Sequence, residues 1–221
     1  MQDLYNLYNE AFENGSLGSS INNGINKLIP KPGDKALIRN WWPITLLNVS
    51  YKILAKVVAT RLEKVLPKFI CYTQTSFIKG RYILEYLITS WEAMEWAKTS
   101  SQDGAMLLVD FEKAYDRIEW DFIVMMLRAF NFPPILCSYV KVLLVDASAL
   151  IEINGTFSQP IKLSSSIRKG CPLAPTLFVI ASDALFYLLR DNSLSPRVLG
   201  IIINDNSKLL NIQFAHDTSF S

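Results

Sequence analysis

The sequence predicts an α+β fold, an antiparallel sheet backed by helices, on three observations. A strand-length apolar run, Ala105-Met106-Leu107-Leu108-Val109, ends on an acid, Asp110. An alternating stretch from Ser148 to Ile153 runs into Asn154-Gly155, the strongest short-range hairpin signal. Helical patterns flank both, from Asn48 to Phe69 on one side and from Pro175 to Arg190 on the other.

Taken in order, Leu28-Ile29 reads as a short apolar strand, because Pro30, Pro32 and Gly33 cannot continue a ladder and make a turn instead. Between Asn48 and Phe69, Ile53, Leu54, Val57, Val58, Leu62, Val65 and Leu66 fall on one helical stripe. Lys52, Lys56, Lys64 and Lys68 lie largely off it, giving an amphipathic helix with a basic outer side. Tyr82 to Lys98 reads as a second helix. After the strand ending at Asp110, Asp116 precedes Glu119 by three positions at the head of an apolar-periodic stretch from Trp120 to Phe130, which predicts a capped helix. Pro133 and Pro134 end it and start another, running to about Asp146. Thr156 to Leu163 can return beside Ser148 to Ile153 as a hairpin. Val198 to Ile203 and Leu209 to Ala215 read as strands around an Asp205-Asn206 turn. The expected organisation is a helical, basic region over 1–104 and a sheet-bearing region over 105–221, whose last strand reads as cut short.

With 221 residues, half of them hydrophobic, the chain can bury a sizeable core as one domain or two lobes. No apolar run reaches the roughly 18 residues of a membrane span. The richest stretch, Leu177 to Leu189, is broken by Ser182 and Asp183. The N-terminus carries Asp3, Glu10 and Glu13 instead of the basic and apolar regions of a signal peptide, so an intracellular protein, nuclear or cytoplasmic, with no membrane partner is expected. Cys71, Cys137 and Cys171 are odd in number, lack zinc-ligand spacing and are expected to be reduced thiols.

The net charge of +2 conceals an asymmetry. From Lys27 to Arg81 there are eleven Lys/Arg against two acids, Asp34 and Glu63, while the remainder holds eleven against eighteen. A phosphate-binding surface fits the first region, and a solvated basic face is the plainer alternative.

Without any family comparison, the candidate catalytic residues are Asp110 at a strand end and Asp217 in a turn between strands. Carboxylates on neighbouring strand ends can share hard cations, and two Mg²⁺ ions can support in-line phosphoryl displacement. The alternative is that Asp110 caps the next segment and Asp217 merely occupies a turn.

Six segments then occur in a telling order: Leu28-Ile29-Pro30-Lys31, Pro43-Ile44-Thr45-Leu46-Leu47-Asn48, Phe77-Ile78-Lys79-Gly80-Arg81, Asp110-Phe111-Glu112-Lys113-Ala114-Tyr115-Asp116, Arg168-Lys169-Gly170-Cys171-Pro172-Leu173-Ala174-Pro175 and Phe214-Ala215-His216-Asp217. Each resembles a motif of the reverse transcriptases of non-LTR (LINE-type) retrotransposons, and together they cover almost the whole chain from about Leu17 onward. The resemblance implies the fingers and palm of a reverse transcriptase, without a thumb, using RNA template, DNA primer, deoxynucleoside triphosphates and a two-ion Mg²⁺ site. It assigns metal binding to Asp110 and Asp217. It places Lys31, Phe111, Tyr115, Lys169 and Gly170 at the nucleotide, with Lys31 on the triphosphate, Tyr115 rejecting a 2′-hydroxyl and Gly170 admitting the nascent base pair. It places Lys52, Lys56, Lys79 and Arg81 on nucleic acid. Asp116 is assigned mainly to helix capping.

Three positions depart from the family's pattern. His216 stands where the catalytic turn has its first aspartate, Trp42 where an arginine precedes Pro-Ile, and Lys169 where glutamine is usual. An imidazole is a poor partner for Mg²⁺, and an indole cannot pair with phosphate. The expectation is a truncated copy of impaired activity, with no recognisable endonuclease, thumb or RNase H segment. A non-catalytic nucleic-acid-binding remnant is the alternative.

Overall fold

Helix α1 (Gln2–Asn14) is followed by a single turn, α2 (Ser19–Asn22), and by strand β1 (Asn23–Pro30). A 3-10 turn over Ile38–Asn40 leads into β2 (Trp41–Leu47), then α3 (Val49–Glu63), the one-turn α4 (Leu66–Phe69) and α5 (Ile83–Thr99). The middle of the chain supplies β3 (Leu107–Asp110), α6 (Trp120–Ala129), α7 (Pro134–Leu144), β4 (Ser148–Ile153), β5 (Thr156–Phe157) and β6 (Ile161–Lys162). It ends with α8 (Ala174–Arg190), β7 (Ile201–Asn204), β8 (Ser207–Leu209), β9 (Asn211–Phe214) and β10 (Asp217–Phe220). The computed structural model describes residues 2–103, 106–191, 200–204, 207–214 and 217–220.

These elements form two compact units, Met1–Leu62 with Tyr115–Leu177, and Glu63–Ala114 with Phe178–Ser221. The division is interleaved and does not fall at 104/105, because sequence-distant stretches share a core.

In the first unit the strand order is β2-β1-β4-β5, with β6 pairing β4. β1 runs antiparallel to β2, from Gly24 opposite Leu47 to Pro30 opposite Trp41, and parallel to β4, from Asn23 opposite Ser148 to Lys27 opposite Glu152. The sheet is therefore mixed, not purely antiparallel, since β1 and β4 are joined by a long helical crossover. β1 starts five residues before Leu28. β2 was not expected, because Pro43 disguises its alternation; the edge position of β2 tolerates that proline. At Asn154-Gly155 both residues have positive φ, 52° and 77°, as the primed hairpin turn requires. The return strand is split into β5 and β6 by Ser158-Gln159-Pro160.

α3 meets the expected helix only as far as Glu63, where a turn at Lys64-Val65 separates it from the one-turn α4, and its buried face is rotated. Tyr51, Leu54, Ala55, Val58, Ala59 and Leu62 are buried, while Ile53 and Val57 are 41% and 44% exposed. The small Ala55 and Ala59 permit close approach that bulky residues would block. α7 packs on both α6 and α1, with the rings of Phe12 and Tyr139 4.2 Å apart.

In the second unit β3, β10 and β9 form an antiparallel sheet in that order, and β7 pairs β8. α5 packs on this region through Ala93, which clusters with Leu209 and Ile212. Asp183 on α8 is fully buried, its Oδ1 accepting the Cys71 N–H at 3.0 Å. Burial pushes its carboxyl up to about 6, against the opposing pull of that hydrogen bond and of Arg81. The folded protein thus holds a proton that the unfolded chain has released between about pH 4 and pH 6. Stability falls as pH rises through that window and stays lower above it, by up to about 3 kcal/mol. Asp183→Asn keeps an acceptor for Cys71 and is expected to flatten the urea midpoint between pH 4 and 6. An unaltered slope would refute this account.

All three cysteines are buried and free. Among the described residues, no helix is long and apolar enough to cross a membrane.

Candidate active site

In the second unit, the apolar run Leu107-Leu108-Val109 extends as β3 and delivers Asp110 to its end. β10 pairs with it so that Asp217 lies directly opposite Asp110, with Thr218 opposite Val109 and Ser219 opposite Leu108. Directly opposed positions of an antiparallel ladder share one face and are close neighbours. On its other side β10 pairs with β9, Asp217 opposite Phe214. Asp217 is therefore registered between the aromatic start of the motif and Asp110. His216 falls outside the described residues, as does Ala215. Asp110 is exposed to solvent. Phe111 follows it at the surface.

In the first unit, Gly170 touches β2 where a side chain cannot fit. Its φ is 111°, and a Cβ there would come within 2.5 Å of the Thr45 carbonyl oxygen. The adjacent Lys169 carbonyl accepts the Thr45 N–H at 2.8 Å, so the loop and the strand are stitched together at this point. Tyr115 is half-buried, and burial pushes its hydroxyl up to about 12. Its carbonyl accepts the Ile167 N–H, which ties the residue to the same loop.

Asp116 does not cap α6. That helix starts at Trp120 with Glu119 at the N-cap, and no side chain caps it. Asp116 belongs to a 3-10 turn, and its carboxylate lies 3.3 Å from the Lys169 ammonium. The lysine at the family's glutamine position has found an acid. Both line an open groove of about 330 Å³ together with Asn26, Thr45 and Lys162.

Lys31 places its ammonium 5.4 Å from the ring centroid of Trp42, the residue at the arginine position, in a cation–π contact. Lys56 is exposed on α3 and Lys52 half-buried. Lys79 is exposed in the second unit. Arg81 is turned inward, its guanidinium donating to the carbonyls of Ile70, Cys71 and Gln74. A basic residue beside a glycine reads on paper as a phosphate contact; here its donors hold a loop.

Two features lay beyond the sequence reading. Arg168 is buried, donating to the Asn22 carbonyl and side-chain oxygen and to the Leu143 carbonyl, with its guanidinium 4.3 Å from the Tyr51 ring centroid. Gln74 and Gln213 are buried and hydrogen-bonded to each other. No periodicity marks either one, since a buried polar residue has the same letter as an exposed one. Among the described residues no group of three or more His, Cys, Asp or Glu side chains could hold a metal ion.

Residues 29–218 match a family model described as Reverse transcriptase (RNA-dependent DNA polymerase). Over 203 residues the chain is 32% identical to the Transposon TX1 uncharacterized 149 kDa protein of Xenopus laevis, an alignment covering 92% of this chain and 15% of that protein. It is 25% identical over 191 residues to a Retrovirus-related Pol polyprotein from type-1 retrotransposable element R2 of Popillia japonica, covering 86% of this chain and 26% of the other. The fold is similar to that of telomerase from Candida tropicalis in complex with a TWJ fragment of telomeric RNA, with a TM-score of 0.60 at 11% identity over 96% of this chain and 39% of that one. Apo telomerase of the same organism, truncated from the C-terminal domain, gives 0.53 at 12% identity, over 92% and 44%. The chain thus spans 15% and 26% of the lengths of these two transposon proteins and less than half of either telomerase.

Proposed function

Because the chain belongs to the reverse transcriptase family, and within it to the LINE-type domains of non-LTR retrotransposons, we propose that it extends a DNA primer along an RNA template with deoxynucleoside triphosphates, at a rate limited by His216. The α+β architecture of fingers and palm is common to this chain and its structural relatives. The register that sets Asp110 directly across from Asp217 is the observation that carries the catalytic reading.

Reverse transcriptases generally use divalent metal ions. Two aspartates at opposed backbone positions on paired strands would offer hard carboxylate oxygens of the kind that suits Mg²⁺. Bound there, the metal would neutralise charge on the attacking primer 3′-oxygen and on the departing pyrophosphate. The remaining work falls to the chain's own groups. Lys31 offers a point charge to the triphosphate, Tyr115 a rigid wall against a 2′-hydroxyl, and Gly170 a backbone without a Cβ beside the base pair. Lys52, Lys56 and Lys79 offer positive charge to the nucleic-acid backbone. The ion pair with Asp116 must open for Lys169 to meet a nucleotide.

His216 gives the non-catalytic reading its one specific support, since the substitution removes an anionic ligand and leaves the basic surface intact. Extension of a labelled DNA primer on an RNA template, with Mg²⁺ and deoxynucleotides, separates the two readings. Slow extension that Asp110→Asn abolishes supports the polymerase. Binding that weakens steeply with salt but yields no product supports the remnant. Neither binding nor product overturns both.

A further inference from the structure

We propose that Gln74 is a positioning residue for the hairpin that carries Asp217, an inference that rests on the polymerase reading of that hairpin. Its amide is fully buried in the second unit and has every hydrogen-bonding site filled. Oε1 accepts from the Ser76 N–H at 3.1 Å and from the Ser76 hydroxyl at 2.9 Å. Nε2 donates to Ser182 Oγ of α8 at 3.2 Å and to Gln213 Oε1 of β9 at 3.1 Å. A primary amide has two N–H donors and two acceptor lone pairs, so only the observed orientation satisfies all four partners: turned over, the amide would set an N–H against the Ser76 N–H and its oxygen against Gln213 Oε1.

The backbone repeats the connection. Gln213 N–H donates to the Thr73 carbonyl at 2.8 Å, and its carbonyl accepts from Thr75 N–H at 2.9 Å and from Thr75 Oγ1 at 3.0 Å. Gln213 is thus gripped by residues 73–75, while β10 pairs with it through Thr218. The next residue along β9, Phe214, is the register partner of Asp217. Gln74 therefore holds the residue one strand position away from the pair that sets the acid.

The segment doing the gripping is itself locked. Arg81 donates to Ile70 and Gln74 carbonyls at 3.0 and 2.6 Å and also to the Cys71 carbonyl. On the opposite side, the Cys71 N–H is held by Asp183 of α8. One cation on three carbonyls thus fixes a segment that is joined to the sheet by a single bridge, Gln74 opposite Gln213.

Burying two amides is an expensive way to fill space, because each loses its hydration and regains only what the partner supplies. A methionine of similar length would fill the same volume without that penalty. What an apolar side chain cannot do is fix register. Strand pairing has a period of two, so hydrogen-bonded side chains that accept only one alignment exclude a slip of β9 that apolar contacts would allow. The amide pair therefore trades stability for a single placement of the acid-bearing hairpin.

The test uses Gln74→Met and Gln213→Met in the full chain bearing His216→Asp, so that turnover is measurable. The expected result is a fall in kcat by about ten- to a hundredfold, with KM for deoxynucleotide nearly unchanged, because the chemistry and not nucleotide capture depends on acid placement. The double variant should be no worse than either single one, since both remove the same contact. Amide hydrogen exchange should speed up in β9 and β10 and stay unchanged in β1 and β2. Folded single variants with unaltered kcat would overturn the proposal. If the His216→Asp parent makes no product, the polymerase reading fails instead. Hydrogen exchange then decides alone, and unchanged protection of β9 and β10 in Gln74→Met refutes the positioning role.

Discussion

His216→Asp is expected to raise RNA-templated nucleotide addition by about a hundredfold or more, corresponding to roughly 3 kcal/mol of transition-state stabilisation. The catalytic turn of the family reads Phe/Tyr-Ala-Asp-Asp, and this chain reads Phe214-Ala215-His216-Asp217. A neutral imidazole is a weak ligand for a cation that prefers oxygen and near-octahedral geometry, and a protonated one repels it. A restored carboxylate would add negative charge next to Asp217, whose register partner is already an acid, Asp110. That local charge concentration is tolerable only with a cation present, so the gain should require Mg²⁺ and vanish with a chelator. Equal rates for the natural and restored chains would show that His216 does not limit turnover.

Gly170→Ala carries the largest expected structural effect. Two independent constraints meet there: a φ of 111°, which L side chains rarely adopt, and an approach of 2.5 Å between the new Cβ and the Thr45 carbonyl oxygen. The obstacle is backbone of β2, so no side-chain rotation relieves it. The hydrogen bond from Thr45 N–H to the Lys169 carbonyl would stretch as the loop moved away. The combined cost is about 2–4 kcal/mol, which lowers Tm by roughly 10 °C in a chain of this size. A thermal melt checks it directly, and a variant within about 2 °C of the parent would show that the loop and β2 can separate without loss.

Much of this was legible in the sequence wherever local chemistry and tertiary demand agree. The run ending at Asp110 became β3, Asn154-Gly155 became the hairpin turn, and Pro134 opened α7. The α+β class and the reverse transcriptase family followed from such signals and from motif order. What escaped was decided by contacts between distant residues. Pro43 hid β2 because its missing N–H is harmless only on an edge, and edge status depends on where β4 docks. Asp116 has the spacing of a capping residue, yet a lysine 53 positions later claims its carboxylate. Ile53 and Val57 fit the helical stripe as letters, but Ala55 and Ala59 occupy the buried face. Arg81 reads as a nucleic-acid contact until its donors are traced to the carbonyls of its own loop. For the candidate site, the acids were visible as types at strand ends, whereas their opposition depends on a pairing between strands more than a hundred residues apart.

Catalysis by this chain requires that Asp110 and Asp217 act as one cation-binding pair. Titration with Mn²⁺, followed by electron paramagnetic resonance on the natural chain, on Asp110→Asn and on Asp217→Asn, tests it without relying on turnover. Saturable binding to the natural chain is expected, weakened by at least about tenfold by either substitution, since each removes an anionic oxygen ligand from a shared ion. Binding of equal strength in all three proteins would contradict it.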